Sequence, residues 1–381
     1  MQPIVIIGTG LAGFNLAKEL RKLDKETPLV MLTRDDGRNY SKPMLSNGFA
    51  KGKDADALAM AAPQQTAEQL DLTLRHGVEV QAIDPAARQI TVDGEVQDYS
   101  KLVLALGADV FRPPMSGDAL DQVYSVNDLE DYARFRSALA GKKKVLIIGG
   151  GLIGCEFAND LVSGGFQVEL VEPMGRCLPT LLPEPASHAV QQGLEKIGVR
   201  FHFGPFAERC DARGDGVVVG LSDGKEVEAD IVLQAVGLRP RIALAKAAGL
   251  AVNRGVVVDA LLQTSAEHIY ALGDCAEVQG LVLPYILPLM SASRALAKTL
   301  SGTPTPVSYG VMPVTIKTPA CPTVVCPPPV DAEGEWQCEG SDLDIRGLFV
   351  NAAGKPLGFA LTGAACAERQ ALAKQLPPLL P

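Results

Sequence analysis

The sequence predicts an α/β fold of two related strand–turn–helix units followed by a smaller α+β module. Three observations carry that reading. The first is an internal echo: Val5-Ile6-Ile7-Gly8-Thr9-Gly10-Leu11-Ala12-Gly13 returns as Leu146-Ile147-Ile148-Gly149-Gly150-Gly151-Leu152-Ile153-Gly154. Gly149, Gly151 and Gly154 follow Gly8, Gly10 and Gly13 by the same 141 residues. The second is an acid after the strand that follows each copy, at Asp35 and at Glu172. The third is a change of texture from Val311 onward, where short β-like runs alternate with Pro and Gly turns.

Each copy reads as a buried strand, a glycine turn and an apolar helix (Phe14 to Leu23; Cys155 to Val162). Such a turn admits a tight bend at its first glycine and close backbone approach at its second. The third glycine lets helix pack on strand, and the open helix N-terminus faces a pyrophosphate. These are Rossmann-like dinucleotide-binding units. Leu29–Thr33 and Gln167–Val171 read as the second strands, and Gln97–Gly107 and Asp230–Gly237 as further buried strands ending in glycine. Period-two apolar residues between Val78 and Val92 predict strands closing the unit. Beyond Val311, strands are expected at 314–316, 323–325, 347–350 and 357–361, then a helix over 364–375. The Lys142-Lys143-Lys144 run reads as a solvated lead-in to the strand at Val145.

Composition removes other classes. With 381 residues, 47% hydrophobic and 21% charged, the chain is long enough for two or three domains and is neither disordered nor of low complexity. Its net charge of −9 argues against a nucleic-acid partner, because a phosphate backbone selects a basic surface. No run reaches the ~18–20 apolar residues of a spanning helix, so membrane insertion is not expected. Only Gln2 and Pro3 separate Met1 from the first strand, which leaves no signal peptide and makes the cytoplasm the expected location. Eight cysteines without a CxxC pair, apart from the four histidines, predict neither a disulfide scaffold nor a metal site.

A third signature, Thr264 to Asp274 ending Tyr270-Ala271-Leu272-Gly273-Asp274, completes a resemblance to the two-dinucleotide-binding-domain flavoproteins of the pyridine-nucleotide oxidoreductases. The resemblance implies FAD and NADH as cofactors and an FAD-binding domain over 1–110 and 241–310. It places an inserted NAD-binding domain at 111–240 and a C-terminal interface domain at 311–381. It also implies that Gly8, Thr9, Gly10, Leu11, Ala12 and Gly13 hold the FAD pyrophosphate, and that Thr33, Arg34 and Asp35 flank the adenosine ribose. Val80 is placed against the adenine, and Asp274, after Gly273, on the ribityl chain; Ala105 and Gly237 end strands at the same site. In the second unit Gly149, Gly151, Ile153 and Gly154 face NADH. Glu172 accepts both ribose hydroxyls and repels a 2′-phosphate, which favours NADH over NADPH. Lys42 and Pro43 fall beside the flavin ring, Lys317 at a second position near it, and Glu156 at the flavin–nicotinamide junction. Lys42 and Glu156 are the residues expected to act on the chemistry.

Disulfide-reducing members carry a redox cysteine after the first motif. Asn39 to Ser46 contains none, and the first cysteine is Cys155. Cys321 and Cys326 have a tempting spacing, but strand alternation sends them to opposite faces, as packing residues. Met312 to Pro319 lacks the aromatic that ferredoxin reductases usually place by the flavin, and Trp336 is read as packing. The segment Tyr40 to Ser46 is similar to that of rubredoxin reductases, which implies single-electron transfer to rubredoxin, as in alkane hydroxylation. A [2Fe–2S] ferredoxin, a flavodiiron-linked rubredoxin domain and an NADH-sensing role stand as alternatives. Arg34, Arg38, Lys42, Lys51 and Lys53 form a basic strip that would steer an acidic carrier, with Asp35, Asp36, Asp54 and Asp56 interleaved.

Overall fold

The computed structural model describes residues 1–380. The first unit opens with strand β1 (Ile4–Ile7), helix α1 (Leu11–Leu23) and strand β2 (Leu29–Leu32). Strand β3 (Lys101–Leu104) pairs on the other side of β1. The sheet runs 269–271, β3, β1, β2, 73–75, all parallel. Every residue of β1 is buried, as expected of a strand covered on both faces. A three-stranded antiparallel sheet (Val80–Asp84, Gln89–Val92, Glu95–Asp98) closes the unit.

Strand β4 (Ala108–Val110) carries the chain out of this unit. Helix α2 (Leu129–Ala138) leads to β5 (Lys144–Ile148), α3 (Leu152–Ser163) and β6 (Gln167–Glu172), and β7 (Ile231–Gln234) completes the core. The second sheet runs 123–124, β7, β5, β6, 200–203, the same parallel order as the first. Its own antiparallel closure spans Ala207–Arg213, Gly216–Leu221 and Glu226–Ala229. Strand β8 (Leu238–Pro240) returns the chain and pairs antiparallel with β4, so the two crossings lie side by side. The Asp109 carboxylate accepts from Arg241 Nε at 2.6 Å across that pair.

Helix α4 (Ile286–Leu300) packs on α1. The C-terminal module is a five-stranded antiparallel sheet ordered 314–316, 323–326, 356–362, 344–350, 335–341. The helix expected over 364–375 is not continuous: a 3₁₀ segment spans Gly363–Glu368 and only Arg369–Ala373 is α-helical. Side-chain bonds win over helix propensity here. Asp344 accepts the Ala364 amide, and the Cys366 thiol donates to the carbonyls of Pro322 and Leu361. The Lys142–Lys144 run is solvated at Lys143 and Lys144, as expected, while the half-buried Lys142 donates through Nζ to the Asp230 carbonyl; the Lys143 and Lys144 amides bond to the Asp230 carboxylate.

Candidate functional site

In the first unit, Gly8 sits at φ +116°, and a Cβ there would lie 2.2 Å from the Ala105 carbonyl oxygen. Only glycine fits that approach in that conformation. A Cβ on Gly13 would lie 2.0 Å from the Gly8 carbonyl, whereas one on Gly10 would meet nothing within 4 Å. Gly10 also caps α1 without a side-chain hydrogen bond, leaving the first-turn amides open to a ligand. Asp35 Oδ1 accepts from Thr9 Oγ1 (3.1 Å), Thr33 Oγ1 (2.7 Å) and the Gly37 amide (3.0 Å).

The second unit repeats the plan. Gly149 lies at φ +106° with its virtual Cβ 2.6 Å from the Ala235 oxygen, and that of Gly154 is 1.8 Å from the Gly149 oxygen. Gly151 again faces open space and caps α3 bare. Glu172, buried at the end of β6, accepts the Gly150 amide at 2.7 Å and the Met174 amide at 2.8 Å.

Both loops open onto one continuous cleft of about 1690 Å³. That exceeds the ~300–1,000 Å³ of an ordinary single-ligand pocket and suits two extended nucleotides meeting end to end. Bare helix N-termini, acids at both strand ends and glycines that face empty space fit the pyrophosphate and ribose groups of dinucleotides. Of the residues singled out in the sequence, Gly8, Thr9, Gly10, Leu11, Ala12, Thr33, Arg34, Asp35, Lys42, Pro43, Val80, Ala105, Gly149, Gly151, Ile153, Glu156, Glu172, Gly237, Asp274 and Lys317 line it. Gly13, Gly154 and Gly273 stand behind the lining instead. A Cβ on Gly273 would lie 2.8 Å from that of Ala12, so all three keep the loops close-packed rather than touch the cleft.

Two lysines meet the middle of the cleft in different ways. Lys42 Nζ donates to Asn127 Oδ1 at 2.7 Å and lies 3.9 Å from Asp274 Oδ2. Burial pushes the Lys42 ammonium below the ordinary lysine range, and Asp274 counters that push. Lys317, from the C-terminal module, pairs through Nζ with Glu156 Oε2 and gives its amide to Oε1 at 2.9 Å. Ser46 Oγ donates to the same Glu156 Oε2 at 2.6 Å. Glu156 is 1% exposed, so this is a buried ion pair with its remaining lone pairs satisfied. Three parts of the chain, at 46, 156 and 317, meet in one carboxylate.

Ser46 and Asn127 are site residues that the sequence does not reveal: Ser46 falls within the Asn39–Ser46 segment without a motif of its own, and nothing near Asn127 marks it. Folding thins the basic strip by taking up two of its five cations. Arg38 is held by Asp36 (2.6 Å) and Asp56 (2.7 Å), Arg34 lies 3.6 Å from Asp109, and Lys42 turns into the cleft. Of the five, Arg34, Lys51 and Lys53 remain exposed cations, Arg34 beside the equally exposed Asp109. No cysteine lines the cleft. Cys321 packs against Gly193, Cys326 sits in a separate apolar cluster, and burial pushes both thiols up to about 11. Trp336 packs edge-on to Phe349 at 5.6 Å. Among residues 1–380 no His/Cys/Asp/Glu cluster could hold a metal, and no helix is long and apolar enough to cross a membrane.

Comparison with known proteins agrees with this geometry. Residues 2–298 match the pyridine nucleotide-disulphide oxidoreductase family, and residues 306–376 match the rubredoxin binding C-terminal domain. The chain is 63% identical to a rubredoxin-NAD(+) reductase of Alcanivorax borkumensis over the whole of both chains. It is 43% identical to the enzyme of that name from Acinetobacter baylyi, covering 100% of this chain and 99% of that one. A solved ferredoxin reductase from Rhodopseudomonas palustris superposes with a TM-score of 0.89 at 26% identity, covering 99% and 96% of the two chains. The chain belongs to the pyridine nucleotide-disulphide oxidoreductases and, within them, to the rubredoxin-NAD(+) reductases.

Proposed function

We propose that this protein takes hydride from NADH onto FAD and passes the electrons singly to a rubredoxin seated against the C-terminal module. One observation carries the reading: two nucleotide loops open into a single cleft that Met312–Lys317 of that module helps to line and no cysteine enters. FAD, when bound, supplies the two-electron to one-electron conversion; the chain supplies position, charge and exclusion of water. Gly8 to Ala12 and Asp35 hold the FAD pyrophosphate and ribose, with Val80 by the adenine. Gly149, Gly151, Ile153 and Glu172 hold NADH, and the carboxylate at 172 rejects a 2′-phosphate. Lys42, tethered by Asn127, sets positive charge beside the ring, and Glu156 with Lys317 braces the junction. Gly13, Gly154 and Gly273 act one layer behind.

In this reading the domains divide at 1–110 with 241–310, at 111–240 and at 311–381. The cytoplasm is the proposed location, and an alkane-oxidising system is the consumer that the resemblance implies. The test is anaerobic mixing of the yellow protein with NADH and excess rubredoxin, with a [2Fe–2S] ferredoxin in a parallel cell. Rapid loss of the rubredoxin colour alone is expected. A bleached flavin beside unchanged rubredoxin would overturn the acceptor and favour ferredoxin or a sensing role.

A further inference from the structure

Helix α3 carries a polar stripe that its counterpart in the first unit lacks. Glu156, Asn159 and Asp160 fall at i, i+3 and i+4, on one helix face, and are 1%, 4% and 3% exposed. The positions 141 residues earlier in α1 are Asn15, Lys18 and Glu19, and none of these is buried. A dinucleotide-binding helix therefore folds without such a stripe. Burying a carboxylate without partners is strongly unfavourable. Asp160 has partners from another part of the chain: its two oxygens accept the Phe49 amide at 3.0 Å and the Ala50 amide at 2.9 Å.

The segment it grips is fitted closely. The Phe49 ring packs 5.4–5.9 Å from Tyr132, Phe135 and Phe166, all of the inserted domain. A Cβ on Gly48 would lie 2.2 Å from Tyr132 Oη, and one on Gly164 3.0 Å from Phe49 Cβ. Tyr132 Oη in turn donates to the Lys53 carbonyl at 2.7 Å. The same helix face takes the Ala320 amide on Asn159 Oδ1 at 3.0 Å, so the C-terminal module is fastened beside it. Just upstream of Gly48 comes Ser46, which reaches Glu156, and the 3₁₀ turn 42–47 that carries Lys42.

We infer that Asp160 is a positioning residue: from the nicotinamide-domain helix it fixes segment 46–50 of the flavin half, and so sets the distance at which NADH meets the flavin. The inference rests on the proposed NADH-to-FAD reading. Hydride transfer needs reacting atoms about 3–3.5 Å apart, and a 1 Å misplacement can cost roughly 100-fold. Asp160 does not line the cleft, whereas Gly149, Gly151 and Glu172 do, so losing it should slow transfer without weakening NADH binding.

The test uses FAD-loaded Asp160→Ala and Asp160→Asn beside the unaltered protein. Three quantities are measured: hydrogen exchange at the Phe49 and Ala50 amides, the NADH dissociation constant, and the anaerobic rate of flavin bleaching by NADH. For Asp160→Ala, amide exchange should rise at least ~10-fold, as expected when hydrogen bonds to a charged group are lost. Bleaching should slow by roughly 10- to 100-fold, with the dissociation constant within about twofold of the unaltered value. Asp160→Asn, which keeps one acceptor, should fall between on both counts. It decides the matter by the same criteria if the alanine variant does not fold. Bleaching at the unaltered rate despite freed amides would overturn the inference, and so would amides that stay protected. Failure of the unaltered protein to bleach with NADH would sink the proposed function instead.

Discussion

In the first unit the residue after the first glycine is Thr9, whose hydroxyl donates to Asp35 Oδ1 at 3.1 Å; in the second unit it is Gly150, whose backbone amide donates to Glu172 Oε2 at 2.7 Å. Loop residue and acid are matched in each. A short carboxylate is met by a hydroxyl, and a carboxylate one methylene longer reaches the backbone itself. A Cβ at position 150 would lie 3.0 Å from both Cβ and Cγ of Glu172, so the threonine of one copy has no room in the other. The helices diverge too, α1 staying within its own domain while α3 binds three. Even the tie at the strand entry differs: Ser100 bonds to the Pro3 carbonyl before β3, where Asp230 gathers the Lys143 and Lys144 amides before β7. One repeated plan is tuned by changes of a single side chain.

The largest difference should come from the helices. Lys317→Met takes the cationic partner from a carboxylate that is 1% exposed and leaves it the Ser46 hydroxyl and the residue-317 amide, a loss of at most the ~3–5 kcal/mol typical of breaking a buried pair. Asn15→Ala, at the position in α1 equivalent to 156, removes only a bond from Asn15 Nδ2 to the Leu11 carbonyl. A surface-type change of about 0.5 kcal/mol or less is expected there. Denaturant midpoints of the two variants would decide, and equal shifts would contradict the contrast.

Next comes the loop swap. Gly150→Thr overpacks the Glu172 contact by about 1–3 kcal/mol, which lost from binding is roughly a 5- to 150-fold drop in NADH affinity. The reverse change, Thr9→Gly, removes one hydrogen bond of about 1 kcal/mol, so FAD should be held less than ~10-fold more weakly. Nucleotide titrations of the two variants measure both, and a larger loss in Thr9→Gly would break the comparison.

The smallest effect is one of pH. Burial raises the Asp230 pKa, but the Lys144 and Lys143 amides and the charge of Lys142 outweigh it, leaving the folded-state value below 3.8. A lowered acid stabilises above its unfolded pKa and loses that contribution as pH falls through the folded one. Asp230→Asn should therefore be less stable than the parent at neutral pH, with the gap closing below about pH 3.8. The gap for Ser100→Ala should not vary with pH. Thermal midpoints from pH 7 to 3 test this, and a constant gap for Asp230→Asn would refute it.

Much of the site was legible because the glycine constraint is local. Gly8 with Gly13, and Gly149 with Gly154, exclude side chains by contacts inside one turn and its neighbouring strand. What was not legible depends on distant chain. Nothing in the sequence marks Asn159 and Asp160 as buried; it is segments near 49 and 320 that cover them. Arg38 and Lys42 looked like a docking strip because spacing does not reveal that Asp56 and Asn127 take up their donors. The alanine-rich run after Gly363 has helical composition, yet Asp344 and the Pro322 carbonyl bind its start more effectively than a helix would.

The claim that one loop holds FAD and the other NADH can be tested with two single methyl groups. Flavin content and NADH bleaching would be measured for Gly13→Ala and Gly154→Ala, whose added Cβ atoms would fall 2.0 and 1.8 Å from the carbonyls of Gly8 and Gly149. Gly13→Ala should purify without flavin. Gly154→Ala should remain yellow, yet keep its colour at NADH concentrations that bleach the parent. A colourless Gly154→Ala, or one that bleaches normally, would contradict the division of labour between the two units.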